Sequence, residues 1–234
     1  MTLQDEGCAE VDWPVYYDGH IRGQVTEAGG QALLGIDLVL ERRDPSSATG
    51  LAQVGSADTD RHGRYDFPRV PPGDYLVAAN FLGPSPTRPY PRVYYPDADS
   101  DARAATIHLA ALAVADDINL LLPNAWNQVT VLASVLLPDG SPASGADVEA
   151  HDADYLWSGE PGMATAGTDG RAALSVYQGR TYYLTATISG GTQQRCAGPL
   201  KFMAKAGLAL EPIRIEHDWG NCLAQLNPSF RPPN

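Results

Sequence analysis

Five histidines are the residues of this 234-residue chain best suited to hold a metal or transfer a proton. They are His20, His62, His108, His151 and His217. None is paired with another at the spacing of metal ligands, and no CxxC motif adds thiolates. We therefore expect no zinc or iron centre, no cofactor and no metal-dependent catalysis.

Aspartates form the second group that could do chemistry. Asp97, Asp99 and Asp101 alternate in one loop, and Asp58 and Asp60 lie in another. Carboxylate oxygens on a loop suit calcium, but a calcium loop needs further ligands and usually a bidentate glutamate. Neither cluster supplies them, so both are weak calcium candidates and solvated acidic turns are the favoured interpretation.

Aromatic residues near turns form the third group. Asn80–Asp101 contains five prolines, which exclude a central strand or a helix, so we predict a long ordered loop or edge segment. Flat rings can stack on sugars, and the alternative is that the same rings pack the seam between two domains and cover sandwich edges. The candidate ligand-binding residues are Tyr90, Tyr94, Tyr95, Trp126, Tyr155 and Trp157.

The three cysteines are Cys8, Cys196 and Cys222. Cys196 and Cys222 lie in the same C-terminal region and could form a disulfide in an oxidising compartment. Cys8 would then be free, paired with a second chain, or part of a lost processing site. Buried free thiols are the alternative. Neither a GxSxG motif nor a phosphate-binding glycine loop is present, so nucleophilic hydrolysis and nucleotide chemistry are not predicted.

Charge and hydropathy restrict the partners. Lys and Arg number 16 against 28 Asp and Glu, and the net charge of −12 opposes binding to nucleic acid or to an anionic membrane surface. The longest apolar run is far shorter than a transmembrane segment. The first residues lack the basic and then apolar pattern of a signal peptide. Our hypothesis is that a signal peptide was removed before Met1.

The element that organises the chain is Asp58–Ala79, which we predict to be a β-hairpin. Tyr65 and Phe67 alternate in its first strand, and Tyr75 starts the alternation of the second. Between them, Pro71–Gly73 favours a turn, because proline fixes the backbone angle φ and glycine also allows positive φ.

The same order of turns and strands recurs after about 110 residues, a domain-sized period. No segment has a convincing amphipathic-helix pattern, so we predict an all-β chain of two tandem Greek-key β-sandwiches. The predicted divisions are an N-terminal arm at 1–15, sandwiches at 16–123 and 124–219, and a tail at 220–234. The matching turns are Pro138–Gly140 with Ala28–Gly30, Thr168–Gly170 with Arg61–Gly63, and Val176–Gly179 with Val70–Gly73.

Residues 18–123 resemble the carboxypeptidase regulatory-like domain, which is related to Cna-B and transthyretin-like domains. Residues 128–216 resemble it more weakly. The resemblance implies a seven-stranded Greek-key sandwich, export, an accessory role beside peptidases, receptors or adhesins, and no catalytic residues. The residues that carry it are Gly23–Val25, Gly30, Leu34–Gly35, Val39–Leu40, Thr59–Asp60, Gly63–Phe67 and Val70–Tyr75.

Two groups of proteins with related folds carry out covalent chemistry. Gly145–His151 followed by Tyr155 resembles part of the iron-binding pattern of intradiol dioxygenases, but no His-x-His motif follows. Some Cna-B relatives form Lys–Asn crosslinks, whereas Lys201 and Lys205 are the only lysines here and both come late. Neither chemistry is expected.

The resulting prediction is a non-catalytic, secreted or cell-envelope bacterial protein without a transmembrane segment. It would act as a binding or spacer module for a protein or polysaccharide at the cell surface. Carbohydrate binding through the loop aromatics is the alternative, and an enzyme of the intradiol dioxygenase type ranks last.

Overall fold

The computed structural model describes residues 17–47, 49–155, 162–190 and 193–218. Regular secondary structure in these ranges consists of seventeen β-strands and no helix, which confirms the all-β prediction. The predicted arm and tail lie outside the described residues.

Residues 19–122 supply two sheets that face each other across one core. Their strands are β1 (Gly19–Glu27), β2 (Asp37–Arg43), β3 (Leu51–Asp58), β4 (Arg64–Val70), β5 (Gly73–Ala79), β6 (Val93–Tyr94), β7 (Ile107–Leu109), β8 (Val114–Ala115) and β9 (Leu120–Leu122).

One of these sheets has the order β4-β1-β8, with β9 also paired to β1. The other has the order β3-β2-β5-β6, with β7 also paired to β5. Ile21 and Phe67 from the first sheet meet Leu38, Leu40 and Val77 from the second in the buried core. The chain passes repeatedly between the sheets, as a Greek-key sandwich requires.

The predicted hairpin at Asp58–Ala79 is wrong in its pairing. β4 pairs with β1 and β5 pairs with β2, so the two strands belong to opposite sheets. Pro71 and Pro72 lack the N–H donors that a continued ladder needs, and the link crosses the sandwich instead. The alternation is confirmed, because Tyr65 and Tyr75 enter the same core from the two sheets.

Residues 128–218 supply a second pair of sheets around a second core. The sheet orders are β13-β10-β16 and β12-β11-β14-β15-β17. The strands are β10 (Gln128–Leu136), β11 (Asp147–Asp152), β12 (Gly162–Thr165), β13 (Arg171–Tyr177), β14 (Thr181–Gly190), β15 (Gln193–Met203), β16 (Ile213–Arg214) and β17 (His217–Asp218).

The two sheet pairs agree in backbone detail as well as in order. In each, a late strand runs parallel to the first one: β9 beside β1, and β16 beside β10. Gly63 and Gly170 have φ angles of 70° and 72°, and each accepts a 2.8 Å hydrogen bond, from Val25 and Val135 respectively. An added Cβ at either glycine would lie 2.5 Å from a carbonyl oxygen, so both turns require glycine.

The proline-rich segment packs against the outer face of the first unit's larger sheet. Val39, Leu76 and Ala78 point outward from β2 and β5 and form a small apolar cluster with Tyr94 and Ala98. Both faces of β5 are therefore buried. This order in a segment with five prolines agrees with the prediction of an ordered loop.

Candidate functional site

The seam between the two sheet pairs is held by hydrogen bonds to backbone atoms. The Trp126 N–H donates to the Pro89 carbonyl at 2.7 Å, and the Tyr177 hydroxyl donates to the Ser85 carbonyl at 2.7 Å. The Arg92 N–H donates to the Tyr155 hydroxyl at 2.9 Å. Backbone atoms are fixed by their own strands and turns, so these bonds restrict rotation between the units.

Arg180 lies on the second sheet pair's side of the seam, where it supports the rings of Trp126 and Tyr155. Its guanidinium donates through Nε and Nη2 to both carboxylate oxygens of Asp152, and through Nη2 to Asp154 at 2.7 Å. The same guanidinium lies 4.2 Å from the centre of the Trp126 ring. Burial lowers the pKa of Arg180, but its bonds to the two carboxylates outweigh burial and raise it, so the charge is retained.

Arg92 joins the proline-rich segment to the second sheet pair. Its Nε and Nη2 donate to the Phe81 carbonyl at 3.0 and 2.6 Å, and its guanidinium lies 4.3 Å from the Phe81 ring centre. It is also 5.9 Å from the ring centre of Tyr155, whose hydroxyl accepts its backbone N–H. Burial is the main cause that raises the Tyr155 pKa.

The structure corrects the sugar-stacking interpretation for two tyrosines. Tyr90 and Tyr94 are only 9% and 5% exposed, and their rings pack into apolar clusters. Burial, followed by the charge of Glu41, raises the Tyr94 pKa to about 12. Neither ring has a free face for a sugar, because the proline-rich segment folds back onto the sheet instead of projecting into solvent.

The other aromatic candidates also pack, as far as the structure describes them. Tyr95 packs against the first core, and Trp126 meets Tyr155 edge-on with ring centres 6.3 Å apart. Trp126 also meets Tyr177 at 5.5 Å. Trp157 lies outside the described residues. These contacts match the seam-packing alternative for Trp126 and Tyr155.

The weak calcium candidates do not converge. Asp99 pairs with Arg103 at 2.9 Å, and Asp97 points to solvent. Asp60 accepts backbone N–H bonds from its own turn, which lower its pKa. Within the described ranges, no group of three or more His, Cys, Asp or Glu residues could hold a metal ion.

Among the described histidines, His20, His108 and His151 contact carboxylates, whereas the His62 ring accepts a hydrogen bond from Arg61. His20 contacts Asp66 at 2.8 Å, and His151 contacts Glu149 at 3.0 Å. The hydrogen bond from His151 lowers the Glu149 pKa.

Cys196 is buried on β15 and disulfide-bonded. Its partner lies outside the described residues, as do both Cys8 and Cys222. The Cys196–Cys222 pairing therefore stays a prediction.

Glu41 is a buried acid beneath the proline-rich segment. It is 6% exposed, and its Oε2 atom lacks a hydrogen-bond partner among the described residues. Burial raises its pKa, while the Tyr94 hydroxyl and the charge of Arg92 oppose the shift. The folded protein therefore favours the protonated, neutral form of Glu41. Its contribution to stability is present below the unfolded-state pKa and is lost as the pH rises through the raised one.

A cavity of about 390 Å³ opens beside the seam. Pro84 and Pro86 line it from the first sheet pair, and Met163, Tyr177 and Tyr182 line it from the second. Its walls are mainly apolar, and the Tyr182 hydroxyl accepts the Tyr177 N–H at 2.9 Å. This arrangement can hold a small apolar group, and Asp152, the acid among the described residues that line it, is already paired with Arg180.

The sequence did not identify Arg180, Asp152, Arg92 or Tyr177 as seam residues. Asp152 ends β11 and Arg180, 28 residues later, directly precedes β14, so no local spacing connects them. The available signal was indirect: the aromatic residues around the predicted unit boundary.

Comparison with known proteins identifies no family for this chain. No protein-family model and no curated protein matches this chain. Among solved structures, a streptococcal ancillary pilin has 14% identity and a TM-score of 0.47, over 86% of this chain and 63% of that one. The Bacillus anthracis TIE protein has 15% identity and a TM-score of 0.33, over 85% of this chain and 33% of its own.

A minor pilin of Streptococcus agalactiae has 11% identity and a TM-score of 0.44, over 92% of this chain and 99% of that one. The chain thus spans less than two thirds of the length of the first two proteins. At these identities and scores the likenesses carry no conclusion about activity or partners.

A search for membrane-spanning helices among the described residues finds none.

Proposed function

We propose that this chain is a non-catalytic spacer and binding module that holds two β-sandwiches of one type at a fixed orientation. The divisions at 16–123 and 124–219 are part of the proposal. The observation that carries it is the set of hydrogen bonds that cross the seam, with Arg180 packed behind them against the ring of Trp126.

The energetics of the seam favour a single orientation. Asp152 is 7% exposed at its side chain and Arg180 is 20% exposed, and their pairing holds the guanidinium against the Trp126 ring, whose backbone N–H bonds across the seam. Domains in one chain move relative to one another unless their interface prevents it. Here the hydrogen bonds of Trp126, Tyr177 and Arg92 across the seam provide directional contacts that simple apolar packing lacks.

Export to a bacterial cell surface is part of the same proposal. The disulfide at Cys196 supports it, because disulfides persist mainly in oxidising compartments. The net charge of −12 supports a protein or polysaccharide partner in preference to nucleic acid. Membership of the carboxypeptidase regulatory-like family remains part of this proposal and rests on the quoted motifs. The burial of Tyr90 and Tyr94 removes the main support for sugar binding by the loop rings.

Small-angle X-ray scattering on the full chain tests the spacer proposal. Wild-type scattering should fit one fixed arrangement of the two sandwiches, and Arg180→Ala should increase the radius of gyration and broaden the distance distribution. Arg171→Ala is the matched control, because Arg171 is exposed and lies away from the seam. Wild-type data that require an ensemble of orientations would refute the proposal.

A further inference from the structure

Glu41 is an ionisable group on an otherwise apolar part of a sheet face. It follows Val39 by two residues on β2, so both side chains point to the outer face that the proline-rich segment covers. Its register partners are Gln53 on β3 and Leu76 on β5, and neither carries charge. Glu41 is 6% exposed, and its Oε2 atom lacks a hydrogen-bond partner among the described residues. Ionisation of an acid in this position is costly, because the charge is neither hydrated nor fully hydrogen-bonded.

The groups that act on the Glu41 carboxyl come from the proline-rich segment above it. Burial is the main cause that raises the pKa of Glu41, and a hydrogen bond from the Tyr94 hydroxyl opposes it. The charge of Arg92 also lowers this pKa, and the charge of Asp101 raises it. Tyr94 keeps its own proton to alkaline pH, because burial raises its pKa to about 12. Of this hydrogen-bonded pair, Glu41 is therefore the group that changes charge at lower pH.

The next charged groups on the same face of the sheet are solvated. Arg43 follows Glu41 by two residues on β2, and Asp74 precedes Leu76 by two residues on β5, so both continue that face. Arg43 is exposed, and the Asp74 side chain is 67% exposed and contacts His108. Water already surrounds these groups when the segment is in place, so removal of the segment changes their environment little.

The proline-rich segment is attached to the sheet by few backbone hydrogen bonds. β6 is two residues long and pairs with the last two residues of β5. The Tyr95 N–H donates to the Val77 carbonyl at 2.9 Å, while Tyr94 and Ala98 exchange two 2.8 Å bonds inside the segment. Its five prolines supply no N–H donors for a longer ladder. Separation of this segment from β5 therefore breaks fewer bonds than unfolding of the whole sandwich.

We propose that Glu41 is a pH-dependent conformational switch, whose ionisation releases residues 93–98 from the outer face of β2 and β5. Protonated Glu41 is buried at little cost, so the segment stays closed. Ionised Glu41 keeps the hydrogen bond from Tyr94 but loses its hydration when the segment closes, and opening restores water to both carboxylate oxygens. The open state exposes the apolar side chains of Val39 and Leu76.

The sign of the pH dependence follows from the raised pKa of Glu41. The stability of the closed state is fully present below the pKa that Glu41 has when the segment is open. It is lost as the pH rises through the raised pKa of the closed state. We therefore expect the segment to open more often at higher pH.

Hydrogen–deuterium exchange with mass spectrometry on the full chain between pH 4 and pH 8 tests the switch. At each pH the wild-type rate is divided by the Glu41→Gln rate, which cancels the intrinsic pH dependence of amide exchange. In residues 93–98 this ratio should increase at least about threefold from pH 4 to pH 8, because wild type alone acquires the buried charge. A ratio that does not change with pH overturns the proposal.

Further variants separate a local switch from other effects. Asp99→Asn changes an acid of the same segment that is 72% exposed and paired with Arg103, so it should retain the wild-type increase. Tyr94→Phe removes the hydrogen bond to ionised Glu41 and should enlarge the increase, and addition of Glu41→Gln should abolish it. An increase of the same size in Gly19–Glu27 would indicate unfolding of the whole sandwich and would overturn the local switch.

Discussion

Replacement of Arg180 by alanine removes the support of Trp126 and Tyr155, which contact the first sheet pair. It removes both hydrogen bonds to Asp152 and leaves that carboxylate, 7% exposed at the side chain, without a cation. Removal of one partner of a buried pair costs about 3–5 kcal/mol, and we take the lower end because Arg180 is 20% exposed. The contact with Trp126 adds about 0.5–1 kcal/mol.

The expected loss is therefore about 3–4 kcal/mol in the free energy of unfolding of the second sandwich. Asp154→Asn should cost less than about 1 kcal/mol, because Asp154 is 75% exposed and its pairing is screened by solvent. Urea unfolding followed by circular dichroism and tryptophan fluorescence measures both, with each transition fitted separately in this two-unit chain.

Arg171→Ala should change the same free energy by less than about 0.5 kcal/mol, since Arg171 and Asp169 are both exposed and 3.9 Å apart. A loss of less than about 1 kcal/mol for Arg180→Ala would refute the reasoning. It would mean that Asp152 is solvated or re-paired when the guanidinium is absent.

Three further results are expected. Gly63→Ala should destabilise by about 1–3 kcal/mol more than Gly145→Ala, because an added Cβ meets a carbonyl oxygen only at the first; thermal unfolding measures the difference. Glu41→Gln should raise Tm at pH 8 relative to wild type, and the gain should shrink towards pH 4, where Glu41 is protonated. An equal gain at both pH values would exclude ionisation as the cause. Peptide mapping without reductant should recover Cys196 linked to Cys222, and a Cys196–Cys8 peptide would contradict the predicted pairing.

The sequence predicted which segments form strands better than it predicted which strands pair with each other. Alternation at Tyr65 and Phe67 identified β4 correctly, because period-two burial is a local property. The partner of β4 is β1, more than 40 residues earlier, and turn residues alone could not distinguish a hairpin from a crossing between sheets. Pro71 and Pro72 were compatible with both outcomes.

The candidate site was predictable only in part. Trp126 and Tyr155 were candidates because aromatic residues near a domain boundary either bind ligands or pack between the domains. The sequence does not show which neighbours they have, and in the structure their rings contact each other. Burial of Tyr94 depends on how a segment of five prolines folds onto β5, which is a tertiary effect. The role of Arg180 depends on strands that meet only after folding.

A distance distribution between the two sandwiches tests the central claim most directly. Spin labels introduced as non-natural amino acids at Leu34 and Met203, both exposed, leave the native cysteines unchanged. Pulsed electron paramagnetic resonance on the full chain should show one narrow distance peak that broadens in Arg180→Ala and is retained in Arg171→Ala. A broad wild-type distribution that Arg180→Ala leaves unchanged would contradict a fixed seam.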